Sequence, residues 1–268
     1  MQVELKNRTV GEIFGQCFTL TVDHFAKLLL IALILNLPIL IIGLYLEDLM
    51  ARLAENPDPD LLTMELSLEA GIVLVAMIVQ PIQAGASILV VAGSFTGQNL
   101  SLEQCITRAL KKFFPLLIYS LVTGLIIGLG FMFLIVPGVI FLLCFFVGAP
   151  ALILENCSWT EAIRRSRELT LHNRLMISLT LTMMFLVVGG AMALVELAHT
   201  GLGEIQGILG SATVLIKHLT TTIVAIPGVV LPVAWYFQLR VLKDSMDVAE
   251  LSSLVDAIAE RHEAEDRE

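Results

Sequence analysis

The sequence predicts an all-α protein, a polytopic membrane helix bundle with six transmembrane helices. Hydrophobic residues make up 57% of the 268 residues and charged residues only 15%, whereas soluble domains are about 25% charged. The mean hydropathy is +0.87, so a globule of this length cannot bury its apolar surface. Two further observations support a membrane protein: long uncharged runs, and an uneven distribution of Lys and Arg along the chain.

The uncharged runs define the predicted crossings, because a transmembrane helix needs about 20 mostly apolar residues. Residues 113–154 contain no charge and are too long for one crossing. Within them, Val136-Pro137-Gly138-Val139 predicts a reversal, with a simple kink as the alternative. The predicted crossings are residues 28–46, 70–94, 114–134, 138–154, 175–195 and 218–239.

The basic residues predict the orientation, because Lys and Arg in short loops stay on the cytoplasmic side. With the N-terminus inside, 14 of the 16 Lys and Arg are cytoplasmic, and only Arg52 and Lys217 lie outside. This predicts a multi-pass protein of the plasma (bacterial inner) membrane with both termini cytoplasmic. The acidic loop around residues 56–60 and a second segment, 199–216, are then expected to face outward.

The N-terminal region and the cysteines each favour one interpretation. The first apolar run ends in bulky residues rather than in a small-residue cleavage site, so we expect a retained helix and not a signal peptide. The cysteines at 17, 105, 144 and 157 form no CxxC pair, which predicts reduced structural thiols. We expect no cofactor, no metal site and no nucleic-acid partner.

Three short segments share one construction. Thr9-x-x-Glu12, Ser101-x-x-Gln104 and Ser158-x-x-Glu161 are capping boxes. Each precedes two crossings, which predicts a threefold internal repeat over about 9–95, 101–155 and 158–244 within a membrane domain of residues 1–245. Residues 246–268 are expected to form a cytoplasmic amphipathic helix and an acidic tail.

Each capped segment carries an apolar stripe at helical spacing. We expect these helices to lie flat at the interface, with the stripe in the acyl region and the basic face toward lipid phosphates. An equal alternative is that the basic residues only determine topology. The candidate headgroup-binding residues are Arg108, Lys111, Lys112, Arg164, Arg165, Arg167 and Arg174.

Polar residues within the predicted crossings suggest a second kind of site. None of the six spans holds Asp, Glu, Lys or Arg at mid-depth, which disfavours ion-coupled transport, because such transport commonly uses an intramembrane carboxylate. Asn36, Gln80 and Gln83 are the candidates for a polar cavity, since two amides adjoin Pro81. Hydrogen bonding between helices is the alternative role for these side chains.

One segment resembles a known family. Residues 136–170 read VPGVIFLLCFFVGAPALILENCSWTEAIRRSRELT, which resembles the bacterial glycerophosphoryl diester phosphodiesterase membrane-domain family and its uncharacterised relatives. The matching residues are Pro137, Gly138, Pro150, Glu155, Ala162, Ser166, Leu169 and Thr170. In that family the phosphodiesterase activity belongs to a separate barrel domain, for which this chain has no room. The resemblance therefore implies a membrane module and brings no catalytic residues.

These observations lead to two functional hypotheses. The first is a non-enzymatic module of the cell envelope that binds membrane lipids, in particular anionic phospholipid, or a protein partner or a second copy of itself. The alternative is a permease or transporter-like protein for a small or lipophilic solute. A water-accessible cavity lined by Gln80 and Gln83 would favour the alternative, and a dry core there would argue against it.

Overall fold

The computed structural model describes residues 9–55, 59–96, 100–201 and 203–244, and these ranges contain helices and short connections with no strand. The predicted cytoplasmic helix and tail, and Lys6 and Arg8, lie outside them. The helices are α1 Val10–Asp23, α2 Phe25–Glu55, α3 Pro59–Thr96, α4 Leu102–Lys111, α5 Phe113–Phe133, α6 Ile135–Phe145, α7 Gly148–Leu154, α8 Trp159–Thr170, α9 Arg174–Gly201 and α10 Gly203–Asp244.

Among the residues that the structure describes, six helical segments are long and apolar enough to cross a bilayer, which confirms the predicted fold class. They are Phe25–Leu46, Pro59–Phe95, Phe113–Phe133, Ile135–Leu154, Arg174–Ala198 and Val214–Lys243. Each contains one of the predicted crossings almost completely. The chain is thus a multi-pass integral membrane protein. Helices α9 and α10 continue through most of the segment 199–216, which the sequence predicts to face outward.

The reversal in the long apolar run lies at Leu134, three residues before Pro137. Leu134 has extended backbone (φ −158°, ψ 141°) and is the only residue between α5 and α6. Pro137 falls in the first turn of α6, where a missing N–H breaks no helical hydrogen bond. A Cβ on Gly138 would lie 2.5 Å from Cγ of Phe131, so glycine permits the close approach of the two helices.

The three predicted capping boxes are all present. The backbone N–H of Thr9 donates to the Glu12 carboxylate at 2.7 Å, and Ser101 and Ser158 make the same bond to Gln104 and Glu161. The reciprocal bonds from the third residue back to the capping hydroxyl are also formed. Local sequence alone therefore fixes where α1, α4 and α8 begin.

The apolar stripes of these helices are covered by protein, so the expectation that they lie in the acyl region is wrong. Cys17, Ala109, Ala162 and Ser166 are fully buried. Helix α1 packs on α9 and α10, α4 on α3, and α8 on α6 and α7. Small stripe residues allow backbones to approach closely, so these helices belong to the bundle and present their other face outward.

The position eight residues after each cap makes a close contact with a crossing in all three helices. Cys17 Sγ donates to the carbonyl of Pro227 in α10 at 3.3 Å, and Ser166 Oγ donates to the carbonyl of Cys144 in α6 at 2.8 Å. In α4, Cβ of Ala109 lies 3.2 Å from a Cβ built on Gly85 in α3. Helices α4 and α8 thus pack on the crossing that precedes them in the chain, and α1 packs on α10, the last crossing; the threefold repeat itself stays a prediction.

Helix α10 is central at the end of the bundle that holds α1, α4 and α8, which we call the capped end. Every residue from 233 to 240 is buried, so this part of α10 is surrounded by protein on all sides. Phe237 stacks on Phe95 of α3 with ring centroids 4.1 Å apart. The capped end is therefore densely packed around α10.

His24 joins α1 to α3 at the capped end and predicts a dependence of stability on pH. Its Nε2 atom contacts the Ser94 hydroxyl. Burial lowers the pKa of His24 below the ordinary 6.5, Lys27 lowers it further, and Asp23 opposes the shift. Between the folded and unfolded pKa values the unfolded chain binds more protons than the folded chain. The contribution of His24 to the free energy of unfolding is therefore present above about pH 6.5 and is lost as the pH falls below that value.

We expect the melting temperature in detergent, followed by tryptophan fluorescence, to fall between about pH 7.5 and 5.5. The fall should be smaller in a His24→Gln variant, whose side chain does not titrate. His172→Gln is the control, because His172 is exposed beyond the end of α8. Equal slopes for the wild type and His24→Gln would contradict the prediction.

Candidate functional site

A polar cavity lies between α2, α3, α9 and α10, with a volume of about 280 Å³. All of its lining residues belong to membrane-spanning segments. They are Leu28, Ala32, Asn36, Gln80, Gln83, Ser87, Met192, His218, Thr221, Thr222, Ala225, Ile226 and Val229. Polar side chains from two walls thus face one space within the apolar bundle.

Asn36 and Gln83 form one wall of the cavity. The Asn36 amide nitrogen donates to Gln83 Oε1 at 2.7 Å and to the carbonyl of Ala32 at 2.8 Å. Because its oxygen accepts from Asn36, Gln83 keeps its own amide N–H groups for another acceptor. Asn36 and Ser87 are themselves buried, so this wall has a fixed orientation and offers hydrogen-bond donors.

His218 forms the facing wall on α10. Its Nε2 atom is buried and has no hydrogen-bond partner in the described part of the chain. The hydroxyls of Thr221 and Thr222 donate within their own helix, to Lys217 O at 2.8 Å and to His218 O at 2.7 Å. A buried polar atom without a partner costs about 1–3 kcal/mol, and His218 is also one of the residues that line the cavity.

The cavity suits an uncharged molecule. None of its lining residues in the described ranges is Asp, Glu, Lys or Arg. The nearest cation along α10 is Lys217, and it pairs with Glu196 of α9 at 2.9 Å. An ion in this cavity would therefore lack a counter-charge on the wall, which is costly away from water.

The three residues that the sequence predicts for a polar cavity all line this cavity, together with others that were not predicted. Asn36, Gln80 and Gln83 line the same cavity, as expected for amides in apolar spans. Sequence reasoning missed Ser87 and His218. Histidine and the following threonines share one face of α10 at helical spacing, but nothing local shows that this face meets α2 and α3.

Glu155 organises a second polar cluster, at the capped end. Its Oε1 atom accepts from Arg165 Nε and from the Tyr236 hydroxyl, both at 3.0 Å, and from Arg240 Nη1. The Arg240 guanidinium lies 5.9 Å from the Tyr236 ring centroid. One carboxylate thus joins the end of α7 to α8 and α10.

The Glu155 cluster contains one of the candidate headgroup-binding residues of α8 and leaves the other two exposed. Arg165 is drawn into the ion pair with Glu155, and its side chain is only 24% exposed. The Arg164 side chain is 75% exposed, and its Nε atom lies 3.9 Å from Oε1 of Glu168. Arg167 is exposed on the same helix. The basic surface of α8 therefore consists of Arg164 and Arg167.

The other basic candidates occupy different positions. On α4, Lys111 is exposed, whereas Arg108 and the C-cap residue Lys112 are half-buried. Arg174 begins α9, and its buried Nε atom has no hydrogen-bond partner among the described residues. Since α4 packs mainly on α3 and α8 on α6 and α7, the two basic groups belong to different parts of the capped end.

The cysteines outside the spans have the properties of structural thiols. Burial raises the pKa of Cys17 to about 12, and burial together with the charge of Glu155 raises that of Cys157 to about 11. Such thiols are protonated at neutral pH and are weak nucleophiles. Among the residues that the structure describes, no group of three or more His, Cys, Asp or Glu side chains could hold a metal ion.

Comparison with known proteins identifies no relative of this chain. No protein-family model matches the sequence, and no curated protein or solved structure matches it significantly.

Proposed function

We propose that the chain is a non-enzymatic, permease-like membrane protein that binds a small, uncharged, hydrogen-bonding solute in the polar cavity. The observation that carries this proposal is a cavity at membrane depth with the amides of Gln80 and Gln83 on one side and His218, Thr221 and Thr222 on the other. Polar groups at this depth are costly unless they are satisfied. A solute with hydroxyl or amide groups would satisfy them.

We also propose that both termini are cytoplasmic and that the protein lies in the plasma membrane, the bacterial inner membrane. The distribution of Lys and Arg supports this orientation. It would place the capped end, with Lys111, Arg164 and Arg167, on the cytoplasmic side.

We further propose a distant relationship to the membrane-domain family named above. What supports this proposal is that several of the matching residues make the contacts that hold α7 and α8 on the bundle. Glu155 accepts bonds from α8 and α10, Ser166 bonds to α6, and Ala162, Leu169 and Thr170 are buried against the bundle. Such a relationship would imply a membrane module without phosphodiesterase activity.

Solute flux tests the proposed cavity. We expect purified protein in liposomes to raise the permeability to glycerol, measured by light scattering after an osmotic step. Gln83→Leu should lower the added permeability about tenfold, because it removes the amide donors offered to the solute, each worth about 1 kcal/mol. Thr182→Ala is the matched control, since Thr182 bonds only within α9 and is exposed. Flux equal to that of empty liposomes, or an unaffected Gln83→Leu variant, would overturn the proposal.

A second function, binding of anionic lipid, is favoured by the exposed basic surface of α8. We expect Arg164→Gln/Arg167→Gln to reduce co-purified phosphatidylglycerol in native mass spectrometry, because each basic residue near a membrane surface contributes about 1 kcal/mol. Arg165→Gln should lower the melting temperature instead, since Arg165 pairs with Glu155. Equal lipid retention by the wild type and the double variant would refute this function. A retained second copy of the chain in place of lipid would point to oligomerisation.

A further inference from the structure

A second, larger cavity lies beside the polar one, between α3 and α5, with a volume of about 770 Å³. We call it the lateral groove. Its lining residues are Ile72, Val73, Ala76, Met77, Gln80, Pro81, Ala84, Leu117, Ser120, Leu121, Gly124 and Leu125. Apart from Gln80 and Ser120 they are apolar or small, so the groove suits a hydrocarbon chain.

The groove exists because small residues face it from both helices. Ala76 and Ala84 line it from α3 and Gly124 from α5, and a Cβ on Gly124 would meet no atom within 4 Å. Pro81 lacks an N–H, so the carbonyl of Met77 has no helical partner in α3. The groove therefore offers open apolar space beside the proline-modified part of α3.

Gln80 connects the two spaces, because it lines both the lateral groove and the polar cavity. It is exposed within the span Pro59–Phe95. An amide that faces hydrocarbon is costly unless it is bonded. The lining residues are mostly apolar in the lateral groove and include more polar side chains in the polar cavity. None of these lining residues is Asp, Glu, Lys or Arg.

We propose that the solute is a single-chain amphiphile with an uncharged, hydroxyl-bearing head, which enters from the bilayer between α3 and α5. This inference rests on the proposed function of the polar cavity and names its substrate class. The head occupies the polar cavity, where Gln83 donates to it and His218 bonds to it. The hydrocarbon chain lies in the lateral groove, and Gln80 contacts the junction of head and chain. Ligand pockets commonly combine an apolar lining with a few placed polar groups.

A photoreactive long-chain alcohol with a diazirine in its chain tests the proposal on the full-length protein in liposomes. We expect cross-links to α3 and α5 residues of the groove, mapped by mass spectrometry. Gly124→Leu, which fills the groove, should reduce them at least tenfold. Gly128→Leu is the matched control, because Gly128 is also open but does not line the groove, and it should cross-link like the wild type.

The outcomes separate this inference from the function on which it rests. Glycerol flux retained in Gly124→Leu, together with the loss of cross-links, supports both. Cross-links that persist at the groove in Gly124→Leu, or that a photoreactive fatty acid with its charged head gives equally, overturn the amphiphile and leave the cavity proposal intact. Absence of glycerol flux in the wild type overturns the cavity proposal and, with it, the placement of the amphiphile's head. The melting temperature of each variant verifies that it is folded.

Discussion

Replacing Glu155 by Ala is expected to destabilise the protein by about 2–4 kcal/mol. Breaking a fully buried ion pair costs about 3–5 kcal/mol, and the lower range applies because the Glu155 side chain is 22% exposed. The Arg240 side chain is only 7% exposed, so its guanidinium has little access to water when the carboxylate is removed. Tyr236 and Arg165 lose the same acceptor.

The effect should appear as a marked fall in melting temperature and as lower yield of folded protein in detergent. Glu168→Ala is the control, because Glu168 pairs with Arg164 at an exposed site and should cost no more than about 1 kcal/mol. Glu155→Leu/Arg240→Met should recover much of the loss, since a buried pair can be replaced by apolar side chains at little cost. If Glu155→Ala and Glu168→Ala shifted the melting temperature equally, the Glu155 cluster would not have the role assigned to it.

Features encoded by neighbouring residues are predictable from the sequence. The crossings follow from runs of apolar residues whose length matches the bilayer, and α5 and α6–α7 lie within a few residues of the expected bounds. The starts of α1, α4 and α8 follow from hydroxyl and carboxylate or amide groups three residues apart. In both cases the physical cause acts within one helix.

Features that depend on which helices meet are not predictable in this way. An apolar stripe suits lipid and protein equally well, so the lipid cover predicted for α1, α4 and α8 is wrong. The small residues Ala109, Ala162 and Ser166 are the available signal, because they permit close helix contacts. In the same way, Glu155 is identifiable from its motif, but its partners Tyr236 and Arg240 lie more than 80 residues away.

The residues of the polar cavity also differ in whether the sequence alone identifies them. Amides in apolar spans are conspicuous, so Asn36 and Gln83 can be named from the sequence alone. His218 cannot, because no local pattern relates it to those amides. Its role depends on α10 crossing beside α2 and α3. The unpartnered Nε2 atom becomes visible only when that packing is known.

Gly148→Ala is the second change with a large expected effect, a loss of about 2–3 kcal/mol in stability, within the range for overpacked cores. Gly148 begins α7 and is buried. A Cβ there would overlap the Tyr119 hydroxyl oxygen and lie 2.5 Å from Cζ and 2.7 Å from Cε2 of the same ring. Tyr119 cannot easily move away, because it is 5% exposed and its hydroxyl donates to the carbonyl of Phe145 at 2.5 Å.

The test compares melting temperatures of Gly148→Ala and Gly71→Ala, because Gly71 lies in the span of α3 and has open space at its Cβ. Ala is a better helix former than Gly by about 1 kcal/mol, so Gly71→Ala should be neutral or stabilising. Adding Tyr119→Phe to Gly148→Ala removes the most crowded atom and should recover part of the loss. If Gly148→Ala melted like the wild type, α7 would not pack on Tyr119, and the close contact between α5 and α7 would have to be abandoned.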